Sequence, residues 1–230
     1  MRKILSLLML VCCTCGVTTA QKLSIGLRGG INYTTPPIGM NDAGRKVFDK
    51  LSGNISTAAA LRVMFDTKRF QVGLSYERAR LSYTYSIAYK GTLASNVDYR
   101  ANTGVRQLIV VANLKTRLPK SYLYYGLNAG ITSIRLDNTS FDVSGSGLFS
   151  TLRYPGSYTF NSSPCPVFGL QVGYNYSLTK HFSVSGELCG RYIMGDITSS
   201  FYDINANPVR VTTTKGLLYF PVTAGISYTF

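Results

Sequence analysis

Residues 217–230 alternate in polarity with a period of two. Leu218, Phe220, Val222, Ala224, Ile226, Tyr228 and Phe230 share one parity, and Tyr219, Pro221, Thr223, Gly225, Ser227 and Thr229 share the other. Successive strand side chains point to opposite faces, so this stretch predicts a strand with one apolar face and one small or polar face. The sequence ends on it, at an aromatic residue. The question it sets is whether the rest of the chain repeats the pattern.

It repeats seven times. Residues 22–33 place Leu23, Ile25, Leu27, Ile31 and Tyr33 on one face and Ser24, Gly26, Arg28, Gly30 and Asn32 on the other. Pro36 and Pro37 end that strand, because proline cannot donate to a ladder. Residues 55–65 carry Thr57, Ala59, Leu61, Val63 and Phe65 on the apolar face, with Arg62 on the opposite one. Residues 70–77 set Phe70, Val72, Leu74 and Tyr76 against Gln71, Gly73, Ser75 and Glu77. Leu81, Tyr83, Tyr85 and Ile87 then continue on the other parity. One inserted residue makes that switch, so a β-bulge is expected near residues 78–80.

Residues 107–118, 123–131, 168–178 and 182–192 complete the set. Their polar side carries Gln107, Asn113, Lys115, Arg117, Tyr124, Asn128, Gln171, Asn175, Glu187, Cys189 and Arg191. Pairing Leu118 with Leu123 across the intervening turn sets Asn113 opposite Asn128. Eight strands then alternate between three tight turns, at 66–69, 119–121 and 179–181, and four longer loops, at about 34–54, 88–104, 132–163 and 194–214.

The start of the chain reads as a targeting segment. Arg2 and Lys3 precede an apolar run over residues 4–17, and Thr18-Thr19-Ala20 forms a small-residue cleavage site. Residues 1–20 are expected to be a signal peptide and residues 21–230 one domain. The apolar run is too short for a spanning helix, and the longest aliphatic run in the remainder, 108–112, is far shorter still. Losing the leader removes three of five cysteines, leaving Cys165 and Cys189. It also takes the net charge from +14 to +12 by removing Arg2 and Lys3. A basic chain can suggest nucleic acid. Export argues against that and leaves lipopolysaccharide and phospholipid head groups as the anionic partners.

Alternation does not say which face is outside. A soluble exterior carries many charges, yet charged residues are only 15% here, against about 25% in soluble domains. The polar face is rich in Gly, Ser, Asn and Gln, which suits a filled interior. Aromatics gather near both ends of the apolar face: Phe65, Phe70, Tyr176, Phe182, Tyr228 and Phe230 at the turn end, and Tyr33, Tyr83, Tyr85, Tyr192 and Phe220 towards the loop end. Two such belts match the two head-group interfaces of a bilayer. An even strand number with short turns at one end and long loops at the other completes the pattern of a transmembrane barrel. The expected fold is therefore an all-β, eight-stranded antiparallel up-and-down transmembrane barrel, with short periplasmic turns, long extracellular loops and both termini on the periplasmic side.

The closing strand resembles that of bacterial outer-membrane β-barrels. The signal peptide, the glycine-punctuated opening Gly26-Leu27-Arg28-Gly29-Gly30, the stretch Tyr124-Tyr125-Gly126-Leu127-Asn128-Ala129-Gly130 and the closing strand together resemble the small outer-membrane β-barrel domain family of Bacteroidota, often called porin-like. The resemblance covers the whole chain after the leader. It implies a fold, an outer-membrane location, and recognition of the strand ending at Phe230 by the barrel-assembly machinery. It implies little about activity.

Chemistry is sparse. His181 is the only histidine and falls in a turn, at the end opposite the outer rim where barrel enzymes keep theirs, so no enzyme is expected. One histidine leaves no histidine-rich metal site, and no cofactor is expected. Pairing Leu178 with Phe182 makes Cys189 face Gln171, with Cys165 six residues further along its strand. At ~3.3 Å per residue that gap is near 20 Å, beyond the ~7 Å reach of a disulfide. Arg28, Arg62, Glu77, Lys115, Arg117, Glu187 and Arg191 are the charges expected inside the barrel. A carboxylate in a narrow lumen needs a basic partner, so interlocked pairs that plug the lumen are expected over an anion pathway. The chain is read as a monomeric envelope protein with a structural, adhesive or loop-binding role. The alternative is a narrow channel or carrier for small solutes.

Overall fold

The computed structural model describes residues 22–35, 50–88, 96–135, 141–145, 157–160, 164–195, 197–202, 208–213 and 216–230. The expected signal peptide lies outside them. Eight long strands build the wall: β1 (Lys22–Thr34), β2 (Lys50–Asp66), β3 (Phe70–Ala88), β4 (Asn96–Arg117), β5 (Ser121–Arg135), β8 (Cys165–Ser177), β9 (Phe182–Ile193) and β12 (Leu217–Thr229). Four short strands fall within the longer connections: β6 (Phe141–Gly145), β7 (Ser157–Phe160), β10 (Ile197–Tyr202) and β11 (Pro208–Thr213).

Each long strand pairs antiparallel with two neighbours, in the order β3-β2-β1-β12-β9-β8-β5-β4, and β4 returns to β3. The sheet is thus a closed barrel whose first and last strands meet, from Ser24↔Thr229 to Thr34↔Tyr219. The three tight turns and the chain's last residue share one rim: the Phe230 amide donates to the Leu23 carbonyl at 2.9 Å and the Thr229 amide to the His181 carbonyl at 2.8 Å. β6 extends the upper end of β4, Ala101 pairing with Phe141. β7, β10 and β11 form a small sheet of their own.

Burial is inverted relative to a soluble protein. Leu27, Leu127, Leu170 and Ile226 are each about 60% exposed, and the whole apolar parity of the wall faces outwards. The interior holds Asn32, Arg62, Gln71, Glu77, Gln107, Asn113, Asn128, Gln171, Glu187 and Arg191, all buried. The loop-ward half of the lumen is different. Leu81, Val105, Val167, Ile193 and Leu217 pack there into an apolar septum, with Cys165 and Tyr219 among them, and Ile109 and Val111 continue the same cluster down towards the turn side.

That septum corrects the expected bulge at residues 78–80. The β3–β4 register is unbroken from Phe70↔Leu114 to Ala88↔Asn96. Ala79 and Leu81 are buried inside, while Arg78 and Arg80 point outwards. Parity does not slip; the lumen itself turns apolar, so an apolar residue there is an inward one. The register shift lies instead in β2, between Gly53 and Ala58, opposite Ala79 to Tyr83 of β3. The side chains of Tyr83 and Tyr85 are outside those described.

Other boundaries also move. β2 begins at Lys50 and β4 at Asn96, so both start inside expected loops. Thr132, expected in a loop, is buried in the wall and accepts a 3.1 Å hydrogen bond from Gln107. The turn after β4 is tighter than expected. Leu118 and Ser121 exchange backbone hydrogen bonds across Pro119-Lys120, so Asn113 faces Gly126 and Asn128 faces Val111. The register after β8 is as expected, with Gln171 opposite Cys189. Cys165 and Cys189 are buried and not disulfide-linked.

Ile109→Ala should open a cavity in the interior apolar cluster and cost about 2–5 kcal/mol. Leu108→Ala, one residue away on the outer wall, leaves no internal cavity and should lower stability less. Urea unfolding midpoints of the two variants in detergent micelles check this difference.

Candidate functional site: the charged lumen

Inward parity on five strands delivers the charged side chains to one level of a narrow interior. β1 supplies Arg28, β2 Arg62, β3 Glu77, β5 Tyr124, and β9 both Glu187 and Arg191. Arg62 grips Glu187 with both terminal nitrogens, Nη1 to Oε2 at 2.6 Å and Nη2 to Oε1 at 2.9 Å. Arg28 Nη1 lies 3.0 Å from Glu187 Oε2, and the Tyr124 hydroxyl donates to the same oxygen at 2.9 Å. Arg28 Nη2 in turn donates to that hydroxyl at 2.9 Å. Arg191 forms the second fork, on Glu77, through Nη1 to Oε2 and through Nη2 to Oε1 at 2.8 Å. The Ser75 hydroxyl donates to Glu77 at 2.8 Å, and Arg62 Nη2 stands 3.6 Å from Glu77 Oε1, joining the two forks.

Three guanidinium groups therefore share two carboxylates in a buried layer. Bidentate forks hold geometry as well as charge, and breaking one by removing a single partner leaves a buried charge uncompensated. The Cys189 thiol donates to Glu187 at 3.2 Å and belongs to the same layer. Tyr124 can lie across the lumen because its ladder partner is Gly173; a β-carbon there would run into the ring.

Amide side chains line the wall below. Gln171 donates to Asn113 at 2.7 Å, Asn128 donates to Gln171 at 3.2 Å, and Gln71 donates to the Tyr122 hydroxyl at 2.8 Å. Above the charged layer the Tyr219 hydroxyl donates to Gln107 at 2.6 Å, and the apolar septum follows. At the turn-side mouth, Lys115 donates to Asp66 at 2.7 Å and sits 5.1 Å from the centre of the Tyr122 ring. A cavity of about 520 Å³ opens at that mouth. It narrows inwards, past Tyr122 and Asn175, to a space of about 30 Å³ against Arg28, Arg62 and Tyr124, room for a water or two.

Arg28, Arg62, Glu77, Glu187 and Arg191 thus meet in one cluster. Lys115 lies apart at the mouth. Arg117, expected inside, is exposed at the rim and donates to the Lys68 carbonyl at 3.1 Å. It sits beyond the last full row of the ladder, where parity no longer implies enclosure. The charge expectation places no aspartate inside, whereas Asp66 closes the mouth with Lys115. The septum and the Tyr124 and Tyr219 hydroxyls have a signal in the sequence, namely apolar and tyrosyl residues on the polar parity at 105, 109, 111, 124, 217 and 219.

Of the aromatic residues, Phe65, Phe70, Tyr176, Phe182, Tyr228 and Phe230 are exposed on the outer wall near the turn rim, and Tyr33 is exposed near the other rim. Tyr192 and Phe220 are half-buried there. Tyr228 meets Phe182 and Phe230 edge-on, at centroid distances of 5.1 and 5.0 Å. His181 stacks on Tyr228 at 5.6 Å, with Nδ1 2.9 Å from the Thr229 carbonyl. It is exposed at the turn rim, on another level from the charged cluster.

No protein-family model matches the chain, and no curated protein matches it. Solved structures do. Neisserial surface protein A matches with a TM-score of 0.52 at 10% identity, over 92% of this chain and 99% of that one. The outer membrane protein OprG from Pseudomonas aeruginosa gives 0.49 at 14%, over 93% and 99%. A major outer membrane protein from Thermus thermophilus gives 0.47 at 14%, over 92% and 100%. At such identities the likeness to the first is one of fold, a closed antiparallel barrel, and the other two add nothing to it.

Replacing Arg62 by Leu should cost about 3–5 kcal/mol, because Glu187 keeps its burial and loses its bidentate partner. Arg62→Leu with Glu187→Leu should recover only part of that loss, because Arg28 then loses its carboxylate partner. Unfolding titrations of the single and double variants measure it.

Proposed function

We propose that this chain is an exported protein of the bacterial outer membrane, with residues 1–20 as its leader, and that its barrel is a closed scaffold for surface-exposed loops. Support for the membrane comes from the outer wall. Its apolar belt is continuous around all eight strands, far beyond the few hundred Å² that soluble monomers expose. A closed ladder leaves no backbone group to be satisfied by lipid. The exposed aromatics near each rim act as interfacial anchors. The strand ending at Phe230 is the segment offered to the assembly machinery, and lipopolysaccharide and phospholipid are the surrounding partners of a monomer.

The observation that carries the closed reading is the double Arg–Glu fork spanning the lumen. Mobile ions would have to break those forks and then cross an apolar septum formed around Leu81, Val105, Ile193 and Leu217. Neither barrier carries a hydrated path. The role then lies in envelope integrity, adhesion or loop-mediated binding, and no catalytic activity is assigned. The runner-up, a narrow channel or carrier, draws on the 520 Å³ mouth. The space at its inner end abuts Arg28, Arg62 and Tyr124.

Planar-bilayer recordings of the refolded protein should show no single-channel steps, and reproducible ion-selective steps would overturn the scaffold. Leu127→Arg, on the mid-wall face, should destabilise folding into lipid vesicles by about 2–4 kcal/mol. An unchanged folding free energy would sink the membrane assignment.

A further inference from the structure

Four apolar rows climb the outer wall across β2, β3, β4 and β5. Phe65, Val72, Ala112 and Leu127 are in register, as are Val63, Leu74, Val110 and Ala129. Leu61, Tyr76, Leu108 and Ile131 follow, and Phe70 with Leu114 and Tyr125 starts the set at the turn rim. The next row breaks the chemistry: it reads Ala59, Arg78, Arg106, Ser133. Arg80 follows one step further up β3. Arg78 and Arg80 are exposed and Arg106 is half-buried. Among the described residues no carboxylate pairs with any of the three.

Arg78 and Arg106 stand directly opposite each other in the ladder, where like charges repel. Their row neighbours, Ala59 and Ser133, offer no neutralisation. The wall behind them is fixed from inside: Asn32 Nδ2 and the Ser56 hydroxyl both donate to the Arg80 carbonyl, the first at 2.9 Å. Among the described residues the paired guanidinium groups have no anionic partner, and the backbone that carries them is held in place.

Position says where the anion must come from. Arg78 is eight residues beyond Phe70, ~26 Å along the strand and about 20 Å along the membrane normal at a ~40° tilt. Extended upwards, the side chain reaches the outer edge of an apolar band ~25 Å tall. The surface directly beneath is apolar over three full rows. A ligand for this place has anionic groups at the level of the arginines and hydrocarbon below them.

We infer that Arg78, Arg106 and Arg80 form a binding site for a phosphorylated glycolipid of the outer leaflet. A phosphate bridges the guanidinium groups, and the lipid's acyl chains lie against Tyr76, Leu108 and Ile131. The ligand class is phosphorylated lipid A, one phosphate of which the paired guanidinium groups grip through bidentate charge-assisted bonds. This rests on the membrane reading above, and it assigns the lipid contact to one strip of the wall.

The test uses the refolded full mature chain in phosphatidylcholine nanodiscs, with fluorescent lipid A as the probe. Saturable binding is expected, and Arg78→Gln with Arg106→Gln should weaken it about tenfold or more, the loss of one to two charge-assisted contacts. Lys68→Gln with Lys120→Gln removes the same charge at the turn rim and should leave the affinity unchanged. Dephosphorylated lipid A should compete poorly. Equal affinity for the dephosphorylated lipid, or an equal loss in both double variants, would overturn the site while leaving the membrane reading intact. A chain that fails to enter the nanodiscs as a heat-modifiable barrel would overturn both.

Discussion

The ladder between β1 and β12 gives every one of the eight long strands two partners. Once the circle is closed, the wall's backbone asks nothing of its surroundings. Side chains alone then decide what each face can touch. The outward parity is apolar over most of the described wall, and the inward parity takes the amides, hydroxyls and charges of the turn-ward half and the apolar septum above them. An open sheet with the same alternation would bury its apolar face against a second layer, and the same residues would specify a different fold.

Closure with eight strands also sets the interior's width. It is just wide enough for side chains to fill, so each inward charge lies within reach of strands far away in sequence. Arg62 and Glu187 are 125 residues apart and bidentate; Arg191 and Glu77 are 114 apart and likewise forked. Such pairs contribute less net stability than their geometry suggests, because both partners were taken out of water. Their effect is specificity: only one stagger of β2, β3 and β9 brings both forks together. The apolar septum beyond them adds ordinary core packing. A lumen with a salt-bridged lower half and an oily upper half is what the proposed scaffold reading rests on.

The inverted wall gives the exposed arginines their meaning. On a soluble protein Arg78 and Arg80 would be unexceptional surface residues. On the membrane reading proposed above, their place above three apolar rows, with Arg106 opposite, marks the height at which the surroundings change from hydrocarbon to charge.

Most of the architecture is legible in the sequence. Period-two alternation locates all eight wall strands and the inward positions of Arg28, Arg62, Glu77, Glu187 and Arg191. It also shows why the two cysteines cannot meet. Such signals are local, because strand geometry fixes side-chain direction residue by residue. The departures share a cause. Equating apolar with outside turns Leu81 outwards, and that equation holds only where the interior is polar. A turn two residues longer than Pro119-Lys120 slides the β4–β5 register by two, which keeps parity while changing partners. Parity cannot detect a shift by two. The sequence by itself determined which side chains share a face, since that follows from backbone geometry. Only the tertiary structure decided which of them meet across the lumen, which half of the lumen is dry and where the outer wall turns from apolar to cationic, since those depend on the stagger of strands far apart in the chain.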